Sequence, residues 1–288
     1  MSNSIGSDAA NLAAMARTRP SRRARLRLLA LALGCAWLSG CAARTPAPPP
    51  PAPSAPAPWQ ASIGTLDVVG SPEICTAVLV RQDMIATTSH CLRPRGRFAL
   101  PHQLVFTSSS SSSLRAKGTA IVAEGGSVAP GNIKSEQAQT DWALVRITPP
   151  LTQLRPLPVA PLSVAMVRAE LARGARFYSA GYGQGAKDRL RAHNTCGPLA
   201  PDPRGITEGE YFFATNCMVR LGDSGGPVAL ITGGQPKLIG LIVGFANAPD
   251  NSGTIGIVVS ARAFAPYLGA DLVSQLFPVD SDREISMN

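Results

Sequence analysis

The 288-residue chain is short of several things, and each shortage excludes something. There are only three histidines, His90, His102 and His193, so any chemistry that needs an imidazole has few places to reside. Beyond residue 40 no block of basic residues occurs. Of the nine net positive charges, five lie in residues 1–40, where six arginines stand against one acid, Asp8. That excludes the electrostatic footprint of a nucleic-acid binder from the remainder, and no nucleic-acid partner is expected. The longest apolar run, "LLALALGCAWLSG", is too short to favour a membrane-spanning helix. No self-similarity of solenoid period is visible, which argues against a repeat array. No cofactor and no metal are expected.

What is present begins with a leader. Arg17, Arg19, Arg22, Arg23, Arg25 and Arg27 precede the apolar run, the layout of a secretory signal over residues 1–40. "LSGC" at 38–41 resembles the bacterial lipoprotein box, which implies cleavage before Cys41 and a lipid on that cysteine. The rival "ALGC" ending at Cys35 comes too early in the apolar run. An ordinary signal peptide that leaves Cys41 as an odd thiol is the alternative. The lipid reading implies an exported protein held to the bacterial cell envelope. Ala42 after the cysteine resembles outer-membrane lipoproteins, facing the periplasm or the cell surface. It also leaves four cysteines, an even number that suggests two disulfides in an exported domain.

Residues 41–58 continue as a spacer. "TPAPPPPAPSAPAP" at 45–58 supports neither helix nor sheet, because proline fixes φ and lacks an amide donor. At ~3.1 Å per residue the stretch from Ala42 to Pro58 could hold a domain roughly 50 Å from a membrane. The globular part is expected over 59–278, with a tail at 279–288.

Within it, short apolar runs alternate with turn residues. "AVLV" and "MIATT" flank "RQD" as a hairpin. "QLVFT", "GTAIVAE", "WALVRI", "RFYSAGY", "EYFFAT", "PVAL", "KLIGLIVGF" and "TIGIVVSA" follow, and the serines at 108–113 form an exposed loop. Only "ARAFAPYLGADLVSQLF" has a helical pattern, interrupted near Pro266 and Gly269. The pattern is all-β, a sandwich or a barrel.

The stretch "LGDSGGPV" at 221–228 is either a turn or a device to present Ser224. A serine hydroxyl attacks only when a base takes its proton. His102 and His193 lie in loop-like settings, whereas His90, in "TTSHC", closes an apolar strand. An acid must then fix the imidazole. Asp141 opens "DWALVRI" directly before an apolar strand; Asp83 and Asp188 have surface settings. The order is His90, Asp141, Ser224.

"TTSHC", "TDWALVRI" and "GDSGGP" in that order resemble the chymotrypsin/trypsin family of serine proteases, over about residues 59–277. The resemblance implies two six-stranded antiparallel β-barrels, at about 59–150 and 165–262, with a short C-terminal helix and the site between the barrels. It implies a serine endopeptidase acting on peptide or protein substrates. Ser224 would be the nucleophile, His90 the base and Asp141 its orienting acid, with the Gly222 and Ser224 amides as oxyanion hole. It pairs Cys75 with Cys91. Cys217, seven residues before Ser224, departs from the family's cysteine pattern, and its expected partner is Cys196. The resemblance also puts Met218, six residues before Ser224, at the specificity pocket.

Two further departures stand out. Met218 is not a carboxylate, so preference for neutral or apolar residues over Lys or Arg is expected at the cleaved bond. The usual aromatic-then-glycine pattern is missing from "GLIVGF". Between Arg44 and Arg81 there is no Lys or Arg, so that segment offers no tryptic activation cut. A side-chain cation, from Arg176 or Arg220, is therefore expected to pair with Asp223. Two alternatives share the motifs. One is an inactive relative serving as a binding or scaffold lipoprotein. The other is an esterase-type hydrolase, against which the His-Asp-Ser order argues.

Overall fold

A computed structural model describes residues 57–126, 135–183, 189–201, 207–247 and 254–269. The leader, Cys41, most of the proline spacer and the tail at 279–288 lie outside the described residues.

The first half is a closed barrel with strand order β1-β2-β3-β6-β5-β4. Its strands are β1 (Ile63–Val68), β2 (Ile74–Arg81), β3 (Met84–Thr87), β4 (Leu104–Ser108), β5 (Arg115–Glu124) and β6 (Ala143–Thr148). The expected hairpin is there: β2 pairs antiparallel with β3, Val78 opposite Ala86, around the "RQD" turn. Alternation along a strand sends successive side chains to opposite faces. On β2, Ala77 and Leu79 enter the barrel core with Leu66, Ile85, Phe106 and Val145. Val78 and Val80 turn outward and are buried as well, in a second cluster shared with Phe212, Leu241 and Ile257 of the other half. That shared cluster is the seam between the halves.

The second half comprises β7 (Arg176–Gly181), β8 (Arg191–His193), β9 (Phe212–Thr215), β10 (Pro227–Thr232), β11 (Gln235–Asn247) and β12 (Thr254–Ser260). The order is β8-β7-β10-β11-β12-β9, and this sheet does not close. The expectation of a second closed barrel is corrected here, and the reason is local. β8 has only three residues, and the chain then enters "CGPLAP", where prolines remove ladder donors. In place of a ladder, Leu199 N–H donates to Ala214 O at 2.9 Å and Asn216 N–H to Gly197 O at 3.1 Å. The Cys196–Cys217 disulfide ties the same gap.

A nine-residue helix, Val164–Ala172, precedes β7. Its start is signalled by Ser163, whose hydroxyl accepts the Met166 N–H, and its end by Gly174 at φ 96°. The expected C-terminal helix falls only in part on described residues. Its described part is 3-10 turns at Ala261–Ala263 and Ala265–Gly269, and residues 270–277 lie outside the described residues.

Candidate active site

Thr87 of β3 lies opposite Ala143 of β6, so the chain just after β3 and the chain just before β6 leave the barrel at one edge. His90 sits in the 3-10 turn Ser89–Leu92 that follows β3, and Asp141 lies two residues before β6. The antiparallel register therefore makes them neighbours. His90 Nδ1 is 2.6 Å from Asp141 Oδ2, and the His90 backbone N–H donates to Asp141 Oδ1 at 2.9 Å. Asp141 is fully buried. A carboxylate accepting at Nδ1 fixes the ring and its tautomer, which leaves Nε2 as the basic atom.

A second network holds this turn. Ser89 Oγ donates to Glu124 Oε2 at 3.0 Å, and Arg93 binds Glu124 through both terminal nitrogens, at 2.7 and 3.0 Å. Arg93 Nη1 also reaches Ser89 Oγ at 2.7 Å. Ser89 and Arg93 are visible only as neighbours of "HC" in the sequence, and Glu124 carries no motif at all.

Ser224 lies in the turn before β10. Gly222 and Gly225 there have φ of 102° and 80°, a left-handed backbone that side chains rarely adopt. A Cβ on Gly225 would lie 2.1 Å from Thr76 O and 2.2 Å from Thr87 Oγ1, so the turn packs directly on β2 and β3. Thr76 pins it further. Its N–H donates to Ser224 O at 2.8 Å, and its hydroxyl donates to Gly222 O at 2.8 Å while accepting the Tyr182 N–H at 3.0 Å. Cys91 Sγ is 3.8 Å from Ser224 O. The histidine turn and the serine turn thus meet at the Cys75–Cys91 disulfide. Among the described residues, the Gly222 and Ser224 amides have no protein acceptor. The Ser224 hydroxyl donates to Val243 O at 3.2 Å rather than to His90.

Both expected disulfides form, Cys75–Cys91 and Cys196–Cys217. Cys75, His90 and Cys91 have ligand atoms within 4.8 Å of one another, but the joined sulfurs offer no thiolate to a metal. Met218 is 58% exposed and its sulfur accepts from Arg220 Nη2 at 3.1 Å, so it does not form the floor of an enclosed pocket. His102 lies in the turn Pro101–Gln103, His193 on β8, and Asp83 pairs with Arg81. Asp188 lies outside the described residues.

Asp223 corrects an expectation. It is buried, and its carboxylate accepts two backbone amides, Gly183 N–H at 2.7 Å and Arg220 N–H at 2.8 Å. Among the described residues no guanidinium pairs with it. The Arg220 side chain goes to Met218, and Arg176 is exposed where it starts β7. Burial raises the Asp223 carboxyl above its ordinary range; the two amides and the fields of His193 and Arg191 pull it back. Gly181 and Gly183 permit this approach, since a Cβ on either would lie within 2.8 Å of the carboxylate. The signal was the "SAGYG" string, whose glycines flank Tyr182.

A closed barrel and a second six-stranded sheet, meeting at a histidine turn and a glycine-flanked serine, make up the chymotrypsin-like fold. A trypsin-like peptidase domain matches residues 75–241, more than half of the chain. The chain belongs to that family and is a serine-type peptidase. Among solved structures it is similar to a thermostable serine protease, AL20, from an extremophilic microorganism. The TM-score is 0.53 at 17% identity, over 75% of this chain and 98% of the other. That likeness is one of fold. No curated protein matches the chain in sequence.

Proposed function

We propose that the protein is a serine endopeptidase in which His90, Asp141 and Ser224 act as a triad. The observation that carries this is the double engagement of buried Asp141 by His90, through the ring and through the backbone. Ser224 would attack a peptide carbonyl, giving its proton to His90 Nε2. His90 would return that proton to the leaving amine, with Asp141 stabilising the imidazolium. The Gly222 and Ser224 amides would receive the developing oxyanion. For attack, the Ser224 hydroxyl leaves the Val243 carbonyl and turns to His90, a contact that commonly tightens only with substrate bound.

The Ser224–Val243 hydrogen bond is also the one observation that favours the alternative, an inactive relative serving as a scaffold. A fluorophosphonate probe decides between them. Covalent labelling of the wild type, lost in Ser224→Ala and strongly slowed in His90→Ala, supports the peptidase. An unlabelled, folded wild type supports the scaffold. A peptide-library digest then separates peptidase from esterase and reads the cleavage preference. Neutral or apolar residues are expected before the cleaved bond, because Met218 provides no anion.

The anchoring reading belongs with this one: residues 1–40 as export signal, Cys41 as lipid anchor, residues 42–58 as spacer, and the domain at 59–278 facing the periplasm or the cell surface. Mass spectrometry of the membrane fraction should find a lipid on Cys41; an unmodified thiol there removes the anchor. No proteolytic activation is proposed. Asp223 already has its amide partners, and the chain entering the domain is docked by Trp59 against Tyr178 at 4.8 Å and by Gln60 Nε2 on the Tyr178 hydroxyl at 2.9 Å. Residues 59–288 behind a fixed amino-terminal tag should label without trimming. Labelling only after a protease removes the tag would establish a zymogen mechanism.

A further inference from the structure

Beside the histidine turn lies a groove of about 550 Å³, within the size range of ligand pockets. One wall is the turn between β1 and β2, with Val69, Gly70 and Ser71; the other is the loop that leaves the histidine turn, with Arg95, Arg97 and Phe98. Along the chain the first wall leads towards Cys75 and the second departs from Cys91, the two cysteines of the disulfide that abuts the Ser224 turn.

Its chemistry is one-sided. The loop reads "RPRGR" at 93–97, and its three arginines have different fates. Arg93 is committed to Glu124 and Ser89 and covers the Phe98 ring at 4.9 Å. Arg95 and Arg97 are exposed and, among the described residues, their guanidinium groups take no ion pair or hydrogen bond; the Arg97 backbone N–H donates to Pro94 O at 3.1 Å. Both line the groove, and no carboxylate lines it. The acids that flank the first wall do not answer them: Asp67 accepts the Thr65 hydroxyl at 3.2 Å, and Glu73 stands exposed beyond the lining residues; Asp83, nearer along the chain, pairs with Arg81. Apolar surface completes the groove, with Val69 61% and Phe98 47% exposed. Arg95 also has a φ of 53° and is the single non-glycine residue with positive φ among the described residues. A strained backbone at a non-glycine residue tends to cluster at binding and active sites.

We propose that this groove binds an acidic segment of the polypeptide substrate, one that carries carboxylates beside an apolar side chain. Arg95 and Arg97 pair with the carboxylates, and the exposed faces of Val69 and Phe98 take the apolar residue. The role as a substrate site rests on the peptidase reading; the binding chemistry does not. The groove would give a peptidase without a charged specificity residue at Met218 a second way to select its substrates.

The test separates the two. Binding of a fluorescein-labelled peptide of Glu and Asp around one Leu is measured by anisotropy on the full domain carrying Ser224→Ala, where no turnover interferes. The acidic peptide should bind and its lysine-substituted counterpart should not. The double variant Arg95→Asn, Arg97→Gln should weaken binding about tenfold, two exposed ion pairs' worth; Asn accepts the left-handed backbone at 95. In the catalytically intact protein the same double variant should raise KM for an acidic-extended substrate by a similar factor, with kcat unchanged and the unextended substrate unaffected. Equal affinity of the double variant for the acidic peptide overturns the proposal, as does equal binding of the lysine peptide. Binding to anionic phospholipid vesicles in place of the peptide also overturns it, by assigning the groove to a lipid surface. If neither substrate is cleaved but the acidic peptide still binds, the peptidase reading fails and the groove assignment stands.

Discussion

Among the described residues the two halves of this molecule have six strands each, yet only the first sheet closes. The first barrel brings His90 and Asp141 together through ladder register, because β3 and β6 are hydrogen-bonded neighbours whose ends leave one edge, and the Glu124 network and the Cys75–Cys91 disulfide then hold the histidine turn. In the second half the β10–β11 pairing reaches Gly225 and Gly226, and Ser224 lies just beyond it. There the geometry comes from glycine backbone, from amide contacts to Asp223, and from hydrogen bonds that cross the seam to Thr76. Register makes His90 and Asp141 neighbours by construction; the Ser224 turn depends more on individual bonds and on glycine backbone.

Several experiments would break or sharpen that contrast. The largest effect is expected on the register-built side. Asp141→Asn keeps the shape but reverses one hydrogen-bond polarity at His90 Nδ1, so kcat at neutral pH should fall about 10⁴-fold, with fluorophosphonate labelling slowed in step. A change below about tenfold would mean that another acid orients the ring. On the turn side, Gly225→Ala should cost about 3 kcal/mol or more of stability, because a Cβ meets Thr76 O at 2.1 Å and the backbone is left-handed. Thermal unfolding reads this directly, and an unchanged midpoint would show that the turn can shift away from β2.

The open edge supplies the next comparison. Replacing Cys196 and Cys217 together by serine should lower stability by about 3 kcal/mol. Hydrogen exchange should accelerate at Leu199 and Asn216, which bridge the gap, and not in the closed barrel. Uniform acceleration would show that both halves open together. Thr76→Val removes the hydroxyl that holds Gly222 O while keeping the side-chain shape. We expect kcat to fall about tenfold with KM nearly unchanged, and Thr76→Ser to restore it, the pattern of a lost contribution to transition-state stabilisation.

The smallest effects are in pH. Burial raises the folded pKa of Asp223 above its unfolded value. Its contribution to stability is therefore full below the ordinary carboxylate range and is lost as pH rises through the folded pKa. Tyr178 and Tyr182, pushed up to about 12 by burial, follow the same sign at the other end of the scale. Their contribution persists to about pH 10 and is lost as pH rises toward 12. Unfolding midpoints across pH should show an alkaline loss that Tyr178→Phe reduces, after correction for the lost Gln60 contact. Asp223→Asn should flatten the acidic limb while losing the Arg220 amide, since an amide nitrogen cannot accept it.

How much of this was legible beforehand differs by element. Strands such as "MIATT" and "WALVRI" announced themselves through apolar runs bounded by turn residues. β1 and β8 did not, the first because it follows the proline spacer without a clear start, the second because it is three residues long. The helix at 164–172 had a serine cap and a closing glycine, but its pattern was weaker than that of the C-terminal stretch, whose described part is 3-10. Met218 could be located by position and not by environment, because exposure depends on neighbours far away in the chain.

Residue types, their order and the backbone freedoms are written along the chain: one histidine at a strand end, one acid before a strand, one serine within "GDSGG", and four cysteines in the globular part. These are local properties, and local chemistry is written in adjacent residues. The tertiary structure decided which groups answer one another across the fold. Glu124 came to Ser89 and Arg93, Thr76 to Gly222, and backbone amides rather than a cation to Asp223. Each of these partnerships joins segments tens of residues apart or depends on a turn's three-dimensional path. Their partners are selected by strand register and packing at the seam, which no single stretch of sequence contains.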